Sequence, residues 1–336
     1  MSPRERRLVL HAAPFLHTAL DTPRLMLEVT LATLPLLVAA AWFFGLAALL
    51  VVAATVLGAL AAESVFARRG EVRRAFSDRS ALLTGVLLGL TLPPGLPLWM
   101  AVLGGVVAIA LGKAMWGGLG QNLFNPALVG RAFLQAAFPT ALTTWRPAGA
   151  SFWALPSSTF ALPFMSGGVD GLSGPTPLAQ MKFEHAATSS WSLLVGDVGG
   201  SLGETSAGLL LLCGLWLGAR RLFDWRIPIG ILVTVGLLAT VLHVVAPERF
   251  PTPLFMLLSG GLLFGCVFMA TDPVSSPTTP VGTWVFAVGI GALVVLIRLF
   301  GGLPEGVMYA ILLMNAATPL IERVCQPRPF GRPGNV

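Results

Sequence analysis

Ten apolar runs separated by short arginine clusters are the feature that most limits what this chain can fold into. A bilayer core of roughly 30 Å takes about 20 apolar residues per straight helix, and residues 26–44, 46–65, 96–113, 229–245, 254–270, 281–300 and 306–321 are of that order. Residues 81–92, 126–138 and 206–217 are shorter, and Pro93-Pro94 stops the first of them. Only 11% of the 336 side chains are charged, far from the roughly one-quarter expected of a soluble domain. The pattern predicts an all-α polytopic membrane protein with about ten transmembrane helices.

The basic residues orient it. With the N-terminus inside, most of the 21 Lys and Arg fall in inside segments: Arg4, Arg6, Arg7 and Arg24; Arg68, Arg69, Arg73, Arg74 and Arg79; Lys113; Arg220, Arg221 and Arg226; Arg323, Arg328 and Arg332. Arg146, Lys182 and Arg249 fall outside, with Arg131 and Arg298 in or at the edge of spans. This distribution obeys the positive-inside rule, and the clustering speaks against nucleic-acid binding. Residues 1–25 read as a cytoplasmic arm, 26–138 and 206–321 as two five-span units, 139–205 as a hydrophilic periplasmic loop and 322–336 as a cytoplasmic tail.

The two units look alike. Leu82-Leu83-Thr84-Gly85, Pro93, a long span, Gly117-Gly118-Leu119 and an Asn-Pro element return as Leu262-Leu263-Phe264-Gly265, Pro273, a long span, Gly301-Gly302-Leu303 and Asn315 with Pro319. Five spans is an odd number, so the second copy runs opposite to the first. Inverted repeats bring short or broken helices together at the midplane, and residues 81–92, 126–138, 262–270 and 306–321 are the candidates.

Within the outer loop, Asp170-Gly171-Leu172-Ser173-Gly174-Pro175-Thr176 is turn-rich and places the Thr176 hydroxyl on an exposed bend. The tract resembles the flavin-attachment signature of the membrane subunits of the Rnf and Na+-translocating NADH:quinone reductase complexes, with Pro175 where that family usually has Ala. Gly117-Gly118-Leu119-Gly120-Gln121-Asn122-Leu123-Phe124-Asn125-Pro126, Gly200-Ser201-Leu202-Gly203-Glu204-Thr205-Ser206 and Phe268-Met269-Ala270-Thr271-Asp272-Pro273-Val274 are similar to further blocks of the same family, in the same order. The resemblance spans residues 80–331. It implies FMN esterified through its phosphate to Thr176, with Asp170, Ser173 and Gly174 forming the motif read by a flavin-transferring enzyme. It also implies a second, non-covalent flavin such as riboflavin, for which Gln121, Asn122 and Asn125 are candidates because amides hydrogen-bond a flavin edge without burying charge. Capping of a helix that opens at Pro126 explains these amides equally well.

Acids in or beside the apolar runs are few: Glu28, Glu63, Asp272 and Glu305. Intramembrane acids are costly and often mark ion paths, which singles out Glu28 and Asp272, although snorkelling suits Glu28 and helix capping suits Asp272 and Glu305. Asp78 reads as a helix cap, and Arg298 as a headgroup anchor or a partner of a flavin phosphate. Cys213, Cys266 and Cys325 have no paired spacing, the histidines have no metal-ligand spacing, and no catalytic triad or nucleotide-binding loop is present. The resemblance therefore places NAD and ferredoxin chemistry on iron–sulfur and flavoprotein partner subunits in a bacterial inner membrane, with this chain relaying electrons and coupling them to Na+ or H+ movement. The B-type membrane subunit of the NADH:quinone reductase and a stand-alone small-solute transporter or channel are the alternatives.

Overall fold

A computed structural model of the chain describes residues 21–67, 76–149, 151–163, 174–184 and 188–326, and these are helical with no strand among them. Helices α1 (Thr22–Ala32) and α2 (Leu34–Phe44) form one apolar segment of 23 residues, jogged at Thr33 where Pro35 enters the first turn of α2. Gly45 separates α2 from α3 (Leu46–Phe66) with φ +70°, and a Cβ there would meet Phe152 O at 2.6 Å. That position requires glycine both for its backbone and for its space.

Then come α4 (Ser80–Leu90), α5 (Leu98–Gly112) and α6 (Pro126–Ala137). The second unit holds α7 (Ala207–Ala219), α8 (Arg226–Val245), α9 (Pro253–Leu258), α10 (Pro280–Phe300) and α11 (Val307–Val324). Six helical segments among the described residues are long and apolar enough to cross a membrane, and α4 and α7 are shorter apolar helices. Each of the ten expected runs contains helix; of the elements expected to be short or broken, 262–270 lies just past a break and 306–321 is unbroken. Run 254–270 is broken: α9 ends at Leu258, and after Ser259-Gly260-Gly261 a short turn, Leu262–Phe264, leads into a π-helical turn, Gly265–Met269. Run 306–321, expected to be short or broken, is instead continuous in α11 despite Pro319.

The packing of one unit recurs in the other. Helix α3 lies against α5, and α8 against α10; α5 then packs on α6, and α10 on α11. Both principal pairs approach over small residues. A Cβ on Gly105 would overlap the Thr55 carbonyl oxygen and one on Gly58 that of Val102; on Gly291 and Gly230 it would meet Thr234 Cβ at 2.7 Å and Ala287 Cβ at 2.6 Å. Lipid offers no hydrophobic drive between helices, so close backbone approach at small residues supplies the attraction.

The segment expected to be a hydrophilic loop also contributes to the core. Leu142, Leu178, Leu193 and Leu202 are buried. The amides of Leu202 and Gly203 donate to Leu92 O and Leu90 O at 3.1 and 2.7 Å, which satisfies backbone released where α4 stops. Gly105→Leu is expected to lower stability in detergent by about 1–3 kcal/mol or more, whereas Leu111→Ala on the exposed side of α5 changes it by about 0.5 kcal/mol at most; chemical unfolding of the two variants measures the contrast.

Candidate functional site

Thr176 is half-buried rather than exposed on a bend. It caps the short turn Pro177–Ala179, its Oγ1 accepting from Ala179 N at 3.2 Å. The tract lies down because Leu178 is buried with Leu193 and Phe255 against the membrane unit. Gly174 N donates to Trp145 O at 3.1 Å. The next turn carries Lys182, whose Nζ donates to the carbonyls of Arg298, Gly301 and Leu303 at 2.9, 2.5 and 3.0 Å. A cation at the end of α10 complements the helix dipole there, and so fixes the Thr176 segment to the second unit. Asp170 and Ser173 lie outside the described residues.

Thr176 lines an open cleft, which takes in about 860 Å³ with its solvent space included, together with Gln135, Trp145, Met308 and Tyr309. A charged triad forms its inner wall. Arg131 on α6 donates from Nη1 to Glu204 Oε1 and from Nη2 to Glu305 Oε2, both at 2.9 Å. The side chains are 11%, 6% and 23% exposed for Arg131, Glu204 and Glu305. The three come from α6, from the turn before α7 and from the turn before α11, so the triad joins the two units. Glu305 Oε1 also accepts from Gly261 N at 2.6 Å, in the break after α9. A Cβ on Gly261 would lie 2.6 Å from Glu204 Oε1 and 2.7 Å from Glu305 Oε1, so this close approach requires glycine.

Arg298 serves the same break. It is 3% exposed, and donates from Nη1 to Met256 O at 2.7 Å and from Nη2 to Ser259 O at 2.9 Å. It therefore satisfies backbone inside the fold and is not a headgroup anchor. Burial works to raise the Glu305 carboxyl, but Arg131, the Gly261 amide and Arg298 together hold it below its ordinary value.

A second cleft lies on the other side of the π-helical turn and is lined by Thr84, Lys113, Asn122, Asn125, Phe268 and Asp272. Asn125 is the cap of α6: Oδ1 accepts from Ala127 N and Leu128 N at 3.0 and 3.3 Å, while Nδ2 donates to Met269 O at 3.2 Å and ties α6 to the π-helical turn. Capping thus takes up its Oδ1, while one of the two Nδ2 hydrogens goes to the π-helical turn. Asn122 donates to Phe124 O at 3.1 Å, and its Oδ1 is buried with no partner among the described residues. Gln121 is exposed and does not line this cavity. Asp272 does line it, accepting from Ser275 Oγ at 2.9 Å, with burial raising its carboxyl above the ordinary value.

Glu28 lines neither cavity. It is buried, paired with Arg220 at 2.8 Å and with Arg24 at 3.3 Å, and so links α1 to the end of α7 instead of snorkelling. Glu63 pairs with the buried Lys113 at 2.7 Å; Lys113 also bonds Ser80 Oγ at 2.7 Å and lies 3.5 Å from Asp78. Asp78 Oδ1 accepts from Ser80 N, the first amide of α4, at 2.9 Å, although the N-cap position itself is Arg79, in the left-handed conformation.

Residues 9–331 match the NQR2, RnfD, RnfE family. The chain belongs to that family. Proteins named as the D-type subunit of an ion-translocating oxidoreductase complex are similar to it over nearly its whole length. The one from Stutzerimonas stutzeri is 45% identical, covering 92% of this chain and 92% of its own. Those from Aeromonas salmonicida and Alcanivorax borkumensis are each 40% identical, covering 95% and 96% of this chain and 97% of their own.

For this member of the NQR2, RnfD, RnfE family, sequence reasoning singled out Thr176, Asn122 and Asp272, which the structure places at cavities, and missed the triad between them. Arg131 lies within a short apolar run and Glu204 within a block similar to the family's, and their pairing across 73 positions has no local signal. An unmatched charge at each of three places was the available clue: a buried charge needs a partner. Arg131→Met leaves two buried carboxylates without their cation and is expected to destabilise the chain by about 3–5 kcal/mol. The triple variant with Glu204→Gln and Glu305→Gln should lose less, as compared by thermal unfolding of the purified chains in detergent.

Proposed function

We propose that this chain is the membrane subunit of an ion-translocating ferredoxin:NAD+ oxidoreductase of Rnf type, a part of a translocase that does not act on NAD by itself. The relatives' shared name, the D-type component of an ion-translocating oxidoreductase complex, supports this over the B-type subunit of the NADH:quinone reductase. It also supports association with the other subunits, an iron–sulfur protein and a flavoprotein among them, in the bacterial inner membrane. The termini are assigned to the cytoplasm and the Thr176 segment to the periplasm by the distribution of arginine. The recurrence of the α3–α5 crossing as α8–α10 supports the reading of two inverted repeats.

The observation that carries the redox reading is the position of Thr176: it lines an open cleft with apolar walls, within a tract that resembles an attachment signature. FMN bound there through its phosphate takes an electron pair and releases it singly, which suits a relay between carriers. Trp145, Leu142 and Met308 offer apolar surface to its ring, and the Thr176 oxygen can keep its bond from Ala179 N after esterification. Attachment requires a flavin-transferring enzyme that reads Asp170, Ser173 and Gly174.

The second, non-covalent flavin, riboflavin or a near relative, is proposed at the inner cleft, where the unpartnered Asn122 Oδ1 would accept from a ring N–H or a ribityl hydroxyl. Asn125 shapes that cavity from its rim, and Gln121 is too exposed to contribute. Asp272 is the acid placed for an ion path from the cytoplasmic side, toward Na+ or H+ translocation coupled to electron flow; the double arginine pairing makes Glu28 an anchor of that end.

Expression in a host with the flavin-transferring enzyme is expected to give a Thr176-containing peptide heavier by the FMN adduct, and Thr176→Val a denatured band without flavin fluorescence. An unmodified Thr176 peptide from such a host contradicts the redox reading and leaves a solute transporter as the alternative.

A further inference from the structure

Two cavities share the triad as a common wall. Arg131, Glu204 and Glu305 line the Thr176 cavity, and the same three line a much smaller one, of about 10 Å³, that reaches Gly265 and Met269 of the π-helical turn. Met269 O is where Asn125 is bonded, and Asn125 lines the inner cavity. The order across the fold is therefore Thr176 cavity, triad, small cavity, π-helical turn, inner cavity.

The two carboxylates of the triad are unequally held. Glu305 accepts from Arg131 and from the Gly261 amide. Glu204 has Arg131 on Oε1 as its charged partner. Ser201, on its own turn, is a neighbour whose buried hydroxyl has no partner of good geometry among the described residues. From α10, Arg298 acts on both carboxylates through its field, but two of its guanidinium nitrogens are committed to the Met256 and Ser259 carbonyls. From α11, Tyr309 also lines the Thr176 cavity. Two arginines and two carboxylates balance when both acids are ionised.

We infer that Glu204 is a proton-exchange site, a carboxyl set in the wall between the Thr176 cavity and the cavity at the π-helical turn. Water on the Thr176 side delivers H+ to the Glu204 carboxylate, giving the neutral acid, and the reverse step releases it to either cavity. Arg131 remains bonded to Glu305 while this happens, so the wall stands in both states. The electrostatics agree with the geometry: burial and then the like charge of Glu305 raise the Glu204 carboxyl to about 7 against the pull of Arg131. A negative charge arriving in the Thr176 cavity favours the protonated form. That coupling, unlike the site itself, rests on the flavin attachment proposed above.

Infrared difference spectroscopy of the full chain in lipid nanodiscs tests it, with Thr176→Val as a background without the attached FMN. A carboxylic-acid C=O band that disappears as pH is raised through neutrality is expected, absent in Glu204→Gln and present but shifted in Glu204→Asp. No titrating band between about pH 5 and pH 9, or a band that survives Glu204→Gln, overturns the site. In the flavin-attached chain, chemical reduction is expected to raise the midpoint, and an unmoved midpoint overturns the coupling. Peptide mass at Thr176 reports the attachment separately, so failure of the flavin reading is distinguishable from failure of this one.

Discussion

Backbone that leaves a helix within a bilayer has no water to bond with, and each unmet amide or carbonyl there costs several kcal/mol. This chain leaves the helix where α4 stops and again after α9, and it makes a π-helical turn at Gly265–Met269. Groups from distant parts of the sequence make up the missing bonds. The Leu202 and Gly203 amides reach Leu92 O and Leu90 O, Arg298 takes the carbonyls of Met256 and Ser259, Glu305 accepts from Gly261 N, and Asn125 donates to Met269 O. Several of these bonds run between the two units or between a unit and the outer segment. The breaks thus help to hold the halves together.

The groups that satisfy the breaks also build the candidate site. Glu305, which bonds Gly261, stands beside Arg131, and Arg131 brings Glu204 into the same wall. The loop that carries Glu204 is the one whose amides close the end of α4. Lys182, beyond Thr176 in the chain, caps the same helix from which Arg298 projects. A buried ion cluster of this kind is weak evidence for net stability, because desolvation opposes the Coulomb gain. Its position between two cavities is the better reason for its presence. A single carboxylate with one charged partner, in such a wall, has a physical use that packed leucines lack.

Hydrophobic run length made the helices legible, since lipid imposes both length and composition on a spanning segment. Small-residue crossings such as Gly58 and Gly105 against α5 and α3 were not read, because they depend on which helix becomes the neighbour. The break at Ser259-Gly260-Gly261 lies inside a run of acceptable hydropathy, and it was the correspondence of 262–270 with the short run after Arg79 that pointed to a broken element there. Conversely, Pro319 suggested a break in α11 that the helix accommodates. Turn chemistry located the Thr176 tract but not its burial, which comes from Leu178 packing on Leu193 and Phe255. For Asn125, helix capping and ligand binding predict the same residue type, and the Ala127, Leu128 and Met269 bonds assign it to capping.

Backbone satisfied by charged side chains rather than by water is the claim on which the rest depends, and amide hydrogen exchange reads it directly. Exchange mass spectrometry of the chain in nanodiscs, resolved over residues 256–265, should show the Gly261 amide protected to the level of the flanking helices and exposed by Glu305→Ala. Rapid exchange at Gly261 in the unmodified chain, equal to that of an open loop, would contradict it.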